Sequence, residues 1–287
     1  MRIGRWATGN GPLVGVVEDG ASGVRPLGVA TLGELLRLPA AEIRERCAAA
    51  GAAVPADDAL PPVDARTEVW AAGVTYRRSR EARVEESERS ANVYEQVYDA
   101  ERPELFFKSA AWKVTGHGGT IAIRADSPLN VPEPELALVL TAHGEIAGYT
   151  VCDDMSSRSI EGDNPLYLPQ AKIYLGGCAV GPAIRPAWEV PDPYALDIEL
   201  TISRDGAPVW TGAANTGELN RRLDELAAYL YREDVFPDGA ILSTGTSVVP
   251  EMDFVLAEGD EITISISEIG TLTSTVVRGK DAVRIPG

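Results

Sequence analysis

Pro132-Glu133-Pro134-Glu135-Leu136-Ala137-Leu138-Val139-Leu140-Thr141, then Ala142-His143-Gly144-Glu145, then Ile146-Ala147-Gly148-Tyr149-Thr150-Val151-Cys152-Asp153-Asp154, is the stretch on which the fold of this chain turns. Two apolar runs flank His143-Gly144, which suits a two-residue hairpin turn. In that register the numbers of opposed residues sum to 287, since Ala142 faces Glu145, and Asp154 comes to lie opposite Glu133. Side chains alternate along a strand, so Glu133 and Glu135 share a face. Three carboxylates therefore converge at one end of the hairpin. Packed at the base of an apolar sheet they cannot all stay ionised without a cation. Oxygen donors of this kind suit a hard divalent ion, Mg²⁺ first, with Mn²⁺ or Ca²⁺ as alternatives. The competing reading is that Glu133 and Asp154 point to solvent at a strand end, and a one-residue slip in register would produce it.

Working outward, residues 1–64 form a small N-terminal α/β domain. Leu13–Val17 and residues 24–30 are β-like, and a helix begins at Thr31-Leu32-Gly33-Glu34, a capping-box pattern. Residues 49–62 carry Pro55, Pro61 and Pro62 and read as a linker. Residues 65–287 are the second unit. Its segment 76–101 interleaves Arg77, Arg78, Arg80, Arg83 and Arg89 with acids and reads as a solvated helix. From Leu105 on, short β-rich runs alternate with Gly and Pro. A helix is expected over 216–231, capped by Asn215 and Glu218, with Leu219, Leu223, Leu226, Ala227 and Leu230 on one face. Strands return at 240–244 and 261–267. The fold class is α+β, with the small N-terminal domain followed by a β-rich catalytic domain.

The chain has 287 residues, with 26 Lys+Arg and 43 Asp+Glu giving a formal charge of −17. That balance excludes non-specific nucleic-acid binding, which rests on basic side chains, and works against anionic membranes. With 45% apolar and 24% charged residues the composition is that of a globular protein. Cys47, Cys152 and Cys178 are odd in number and widely spaced, as in a reduced compartment. The N-terminus shows no apolar signal region, and no apolar run approaches the 18 or so residues of a membrane span. A cytoplasmic location is expected.

The hairpin stretch sits among motifs that together resemble the fumarylacetoacetate hydrolase family. Glu133-Pro134-Glu135 enters an apolar strand, Gly148-Tyr149-Thr150 follows, and Asp153-Asp154-Met155-Ser156-Ser157-Arg158 is similar to the family's Asn-Asp-x-Ser-x-Arg. Pro103-Glu104-Leu105-Phe106-Phe107-Lys108 lies upstream. Gln170-Ala171-Lys172, Gly181-Pro182, Ser243-Thr244-Gly245-Thr246 and Leu256-Ala257-Glu258-Gly259-Asp260-Glu261-Ile262 follow in order. The likeness runs from about residue 70 to 280. It implies that catalytic domain's fold, with Glu133, Glu135 and Asp154 as metal ligands and a homo-oligomer, dimer or tetramer. One element departs. Hydrolytic members carry Gly-x-Asn-Tyr-x-x-His, whereas this chain has Gly73-Val74-Thr75-Tyr76-Arg77-Arg78-Ser79, and neither His117 nor His143 fills the histidine's place. Serine has no pKa suited to general-base work near neutrality.

Gly73-Val74-Thr75-Tyr76, Ser156 to Gly162, and Asn164 to Lys172 resemble instead a dehydratase subgroup. That likeness implies Mg²⁺-dependent conversion of a 2-keto-3-deoxy-pentonate, a small anionic 2-keto acid, to 2,5-dioxopentanoate through a metal-stabilised enolate. Under it Lys172 and Glu104 are the catalytic candidates. Lys108, Arg158 and Thr246 are the substrate-binding candidates. Each has a plainer reading: surface lysine, strand-start carboxylate, structural ion-pair partner, turn residue. Two alternatives stand beside the dehydratase. One is a hydrolase, decarboxylase or isomerase of an acylpyruvate-like diketo acid. The other is a non-catalytic keto-acid-binding family member.

Overall fold

The computed structural model describes residues 1–79 and 96–284. Of the charge-dense segment 76–101, residues 77–79 and 96–99 are helical, Tyr76 forms a β-bridge, residues 100–101 are not helical, and residues 80–95 lie outside the described residues. Two sheets organise the chain. The larger has ten strands, ordered Arg25–Pro26, Leu13–Val17, Arg2–Trp6, Cys178–Pro186, Ile146–Asp154, Pro134–Leu140, Ala240–Ser243, Glu68–Gly73, Glu104–Ala110, with Ala59–Leu60 paired to Arg2–Trp6 off this path. The smaller has five, ordered Ala207–Asn215, Asp197–Arg204, Glu261–Ile266, Gly270–Arg278, Gly119–Ile123. Helices are few and short, so the architecture is α+β. The N-terminal strands extend the same sheet as the central hairpin, with Ile3 opposite Ile184.

The hairpin's strand Pro134–Leu140 is central and buried throughout, which is why its apolar run does not alternate with polar residues. Its two faces feed two cores. Leu136, Leu138 and Leu140 pack with Ile198, Leu200 and Ile264 of the smaller sheet. Ala137 and Val139 pack with Val16, Leu32, Leu35 and Ile43 of the N-terminal unit.

The turn differs from the two-residue loop that His143-Gly144 suggests. Gly144 N–H donates to Thr141 C=O and Thr141 N–H to Glu145 C=O, both at 2.9 Å, and Gly144 has φ +76°. This is a three-residue loop, which sets Leu140 opposite Ile146. A bulge between Ile146 and Gly148 then adds one residue, and from Val139↔Gly148 to Pro134↔Asp153 the paired numbers sum to 287 after all. Turn and bulge offset one another, so the acidic end has the expected register.

The helix expected over 216–231 is also shorter. Thr216–Glu218 is a single tight turn capped by the Asn215 side chain on Gly217 N–H, and the α-helix is Leu223–Leu230. Between them Leu219 forms a β-bridge with Tyr76, and Asn220 N–H donates to Thr75 C=O. A tertiary pairing interrupts what amphipathic spacing alone would continue.

Candidate metal centre and active site

The main hairpin delivers the three carboxylates to one place. Asp154 N–H donates to Glu133 C=O at 3.0 Å, extending the ladder past Pro134, and Glu135 faces Cys152. Glu133, Glu135 and Asp154 each offer an oxygen within 4.8 Å of the others, and all three are buried. Glu135 is almost fully enclosed. Its Oε2 accepts from Ser243 Oγ and, at 2.8 Å, from Gly245 N–H. Burial first, then repulsion from Asp154 and Glu133, pushes its pKa up to about 8. A buried all-oxygen donor set in which one carboxyl resists ionisation is the chemistry of a hard-cation site, so the residues fit a divalent ion.

Lys172, at the C-terminal end of helix Leu168–Lys172, reaches into this cluster. Its Nζ donates to Glu133 Oε2 at 2.8 Å, Asp154 Oδ2 at 3.2 Å and Ser156 Oγ at 2.6 Å. Ser156 Oγ in turn donates to Asp154 C=O at 2.8 Å. The cavity over these groups is lined also by Gly73, Ser79, Phe106, Thr246 and Val249. Its enclosed part measures about 20 Å³, room for one ion or water. A larger ligand has to lie across its mouth.

Of the sequence-derived candidates, Glu133, Glu135, Asp154, Lys172 and Thr246 meet at the cavity. Thr246 Oγ1 closes a local turn, accepting from Val248 N–H at 3.1 Å and donating to Val248 C=O at 3.2 Å. The other three candidates are not among the lining residues, though Glu104 lies against one of them. The Glu104 carboxylate lies over the bare Cα of Gly73, where a β-carbon would sit 2.1 Å from its Oε2. Lys108 is fully buried and its Nζ is committed to Met155 C=O at 3.0 Å, to Lys172 C=O at 2.7 Å and to Asp154 Oδ1. That position fits holding Asp154 better than meeting a substrate. Arg158 donates to Pro250 C=O at 2.7 Å and approaches Met252 Sδ, which anchors the loop that carries Thr246 and Val249.

Ser156, Ser243 and Gly245 were not singled out from the sequence as functional. The available signal was Ser243-Thr244-Gly245: Gly245 has φ +92°, and a β-carbon there would sit 1.9 Å from Thr75 Oγ1. Ser79 Oγ accepts from Tyr76 N–H and donates to Tyr76 C=O, so it serves its own backbone.

Residues 68–277 match the family described as fumarylacetoacetate (FAA) hydrolase C-terminal. Over 218 residues, 76% of this chain and 74% of the other, the sequence is 51% identical to a Haloferax volcanii protein named "Probable 2-keto-3-deoxyxylonate dehydratase". It is 48% identical over 218 residues, 75% of this chain and 73% of the other, to 2-dehydro-3-deoxy-D-arabinonate dehydratase of Saccharolobus solfataricus. Among solved structures, 2-keto-3-deoxy-D-arabinonate dehydratase complexed with magnesium and 2,5-dioxopentanoate matches with a TM-score of 0.84 at 37% identity, covering 97% of this chain and 99% of that one.

Proposed function

The chain belongs to the fumarylacetoacetate hydrolase family, and within it we propose a Mg²⁺-dependent dehydratase that converts 2-keto-3-deoxy-D-pentonate to 2,5-dioxopentanoate. The observation that carries this is the cavity lined by Lys172, Glu133, Glu135 and Asp154, with Ser79 among its other lining residues. Oxidation at C2 and loss of the C3 hydroxyl erase the two centres at which arabinonate and xylonate differ. In the D series the two keto acids are therefore one compound, with C4 its single stereocentre.

Glu133, Glu135 and Asp154 would hold a divalent cation, which would supply the Lewis acidity that acidifies the C3 hydrogens of a 2-oxo acid. The acceptor of the C3 proton and the donor to the departing C4 hydroxyl are drawn from Lys172 and Glu104. Loss of water leaves 5-hydroxy-2-oxopent-3-enoate, and moving a C5 proton to C3 gives the enol that tautomerises to 2,5-dioxopentanoate. Thr246 meets the substrate's anionic end, while Lys108 and Arg158 fix Asp154 and the 245–252 loop. The reading carries a cytoplasmic, homo-oligomeric enzyme with residues 65–287 as its catalytic domain. In support, all three cysteines are free and buried, and no helix among the described residues is long and apolar enough to cross a membrane.

The test is incubation of purified protein with 2-keto-3-deoxy-D-pentonate and Mg²⁺, followed by NMR. The expected result is 2,5-dioxopentanoate formation that EDTA abolishes and excess Mg²⁺ restores. Unchanged substrate overturns the assignment.

A further inference from the structure

Lys172 does more in this geometry than face a substrate. Its ammonium is hydrogen-bonded to Glu133 Oε2 and Asp154 Oδ2, oxygens belonging to two of the three carboxylates that the metal reading uses. The third partner, Ser156 Oγ, is neutral and lies off the acidic triad. The side chain is 1% exposed, so water does little to screen it from its neighbours. Lys108 holds the Lys172 backbone carbonyl from behind and contacts the remaining Asp154 oxygen, which keeps the helix end and the ligand strand together. Only the long, unbranched side chain of Lys172 is left to move.

We propose that Lys172 is an internal counter-cation that competes with the divalent ion for Glu133 and Asp154, and that metal binding turns its ammonium away from these oxygens toward Ser156 and the cavity mouth. The inference rests on the metal-site reading above. Its consequence is ordered assembly: the lysine becomes available to a substrate only after the metal has taken the carboxylates. The same exchange keeps the buried triad neutralised before loading, because one cation leaves as another arrives. Two unit charges about 4 Å apart interact strongly enough at an effective dielectric of ~20 to change an affinity by well over tenfold. A net gain of about tenfold therefore survives substantial relaxation.

Mn²⁺ binding followed by EPR on the full-length protein tests this without reference to turnover. Lys172→Met, which keeps the chain length and removes the charge, is expected to bind Mn²⁺ about tenfold more tightly than wild type. Lys172→Arg, which keeps the charge, is expected to stay within about threefold of wild type. If Lys172→Met does not fold, Lys172→Gln carries the same expectation. Equal or weaker binding by the neutral variants overturns the competition, as does equal tightening by Lys172→Arg. Failure of the metal reading looks different: wild type and Glu135→Gln would then bind Mn²⁺ alike.

Discussion

Gly245 shows how closely a single backbone position can be tied to the chemistry. Its left-handed conformation turns its N–H onto Glu135 Oε2, and Thr75 Oγ1 occupies the space a side chain would need. Gly245→Ala should cost at least about 2 kcal/mol of stability and weaken Mg²⁺ binding together, read by thermal melts and metal titration. Lys108 is a second such position. Lys108→Met takes the buried partner from Asp154 Oδ1 and the donor from the Met155 and Lys172 carbonyls, and should lower stability by about 3–5 kcal/mol. Because Mg²⁺ replaces the missing charge, the loss should be smaller in its presence, as chemical denaturation would show. The sequence offers Lys108 both for the substrate's anionic end and as a structural ion-pair partner of the clustered acids, and its contacts fit the second duty. That duty depends on carbonyls 47 and 64 residues away, which no local pattern encodes.

At the scale of elements, the hairpin was legible because two apolar runs flank a turn. Its acidic end kept the expected register because the bulge restores what the longer loop shifts. The loop holds one residue more than expected and a bulge follows, yet Asp154 still meets Glu133. The helix over 216–231 was not legible in full, since the bridge of Leu219 to Tyr76 is a long-range pairing that overrides amphipathic spacing. A further junction could not be read from sequence at all. Asp238 accepts from Arg66 Nε and Nη2 at 3.1 Å and from Arg37 Nε at 2.8 Å, while Gly33 of helix Leu32–Leu36 leaves its β-carbon free to approach. Chiefly the Arg66 hydrogen bonds hold its pKa down to about 2. A folded-state pKa below the unfolded value of about 3.9 means stability that is present above pH 4 and lost as pH falls toward 2. Asp238→Asn should therefore melt lower than wild type at pH 7, by about 1–2 kcal/mol. The difference should vanish near pH 2, which urea melts at several pH values would reveal.

For the whole molecule, the charge of −17 works against non-specific nucleic-acid binding without opposing an anionic substrate at one cavity. Three carboxylates there are set against a dication and Lys172, so the site's balance is local. Mg²⁺ at a hundred times its dissociation constant should stabilise the protein by about 2.7 kcal/mol. A calorimetric melt should show EDTA lowering Tm by several degrees, and Glu135→Gln should remove that dependence. If EDTA leaves Tm unchanged, the triad does not bind metal in the folded protein.

The large sheet pairs segments far apart in sequence: Arg2–Trp6 lies against Cys178–Pro186, and Glu68–Gly73 runs parallel to Ala240–Ser243. A chain growing from its N-terminus thus exposes its first strand long before that strand's inner neighbour exists. The contact order is high, and loop closure must be paid for before most of the pairing that rewards it. Ribosome-stalled chains ending before residue 240 should stay sensitive to protease, and those that include the whole sheet should become resistant. The cavity, which needs Glu135, Lys172 and Gly245 at once, matures only after nearly all of the chain has been synthesised.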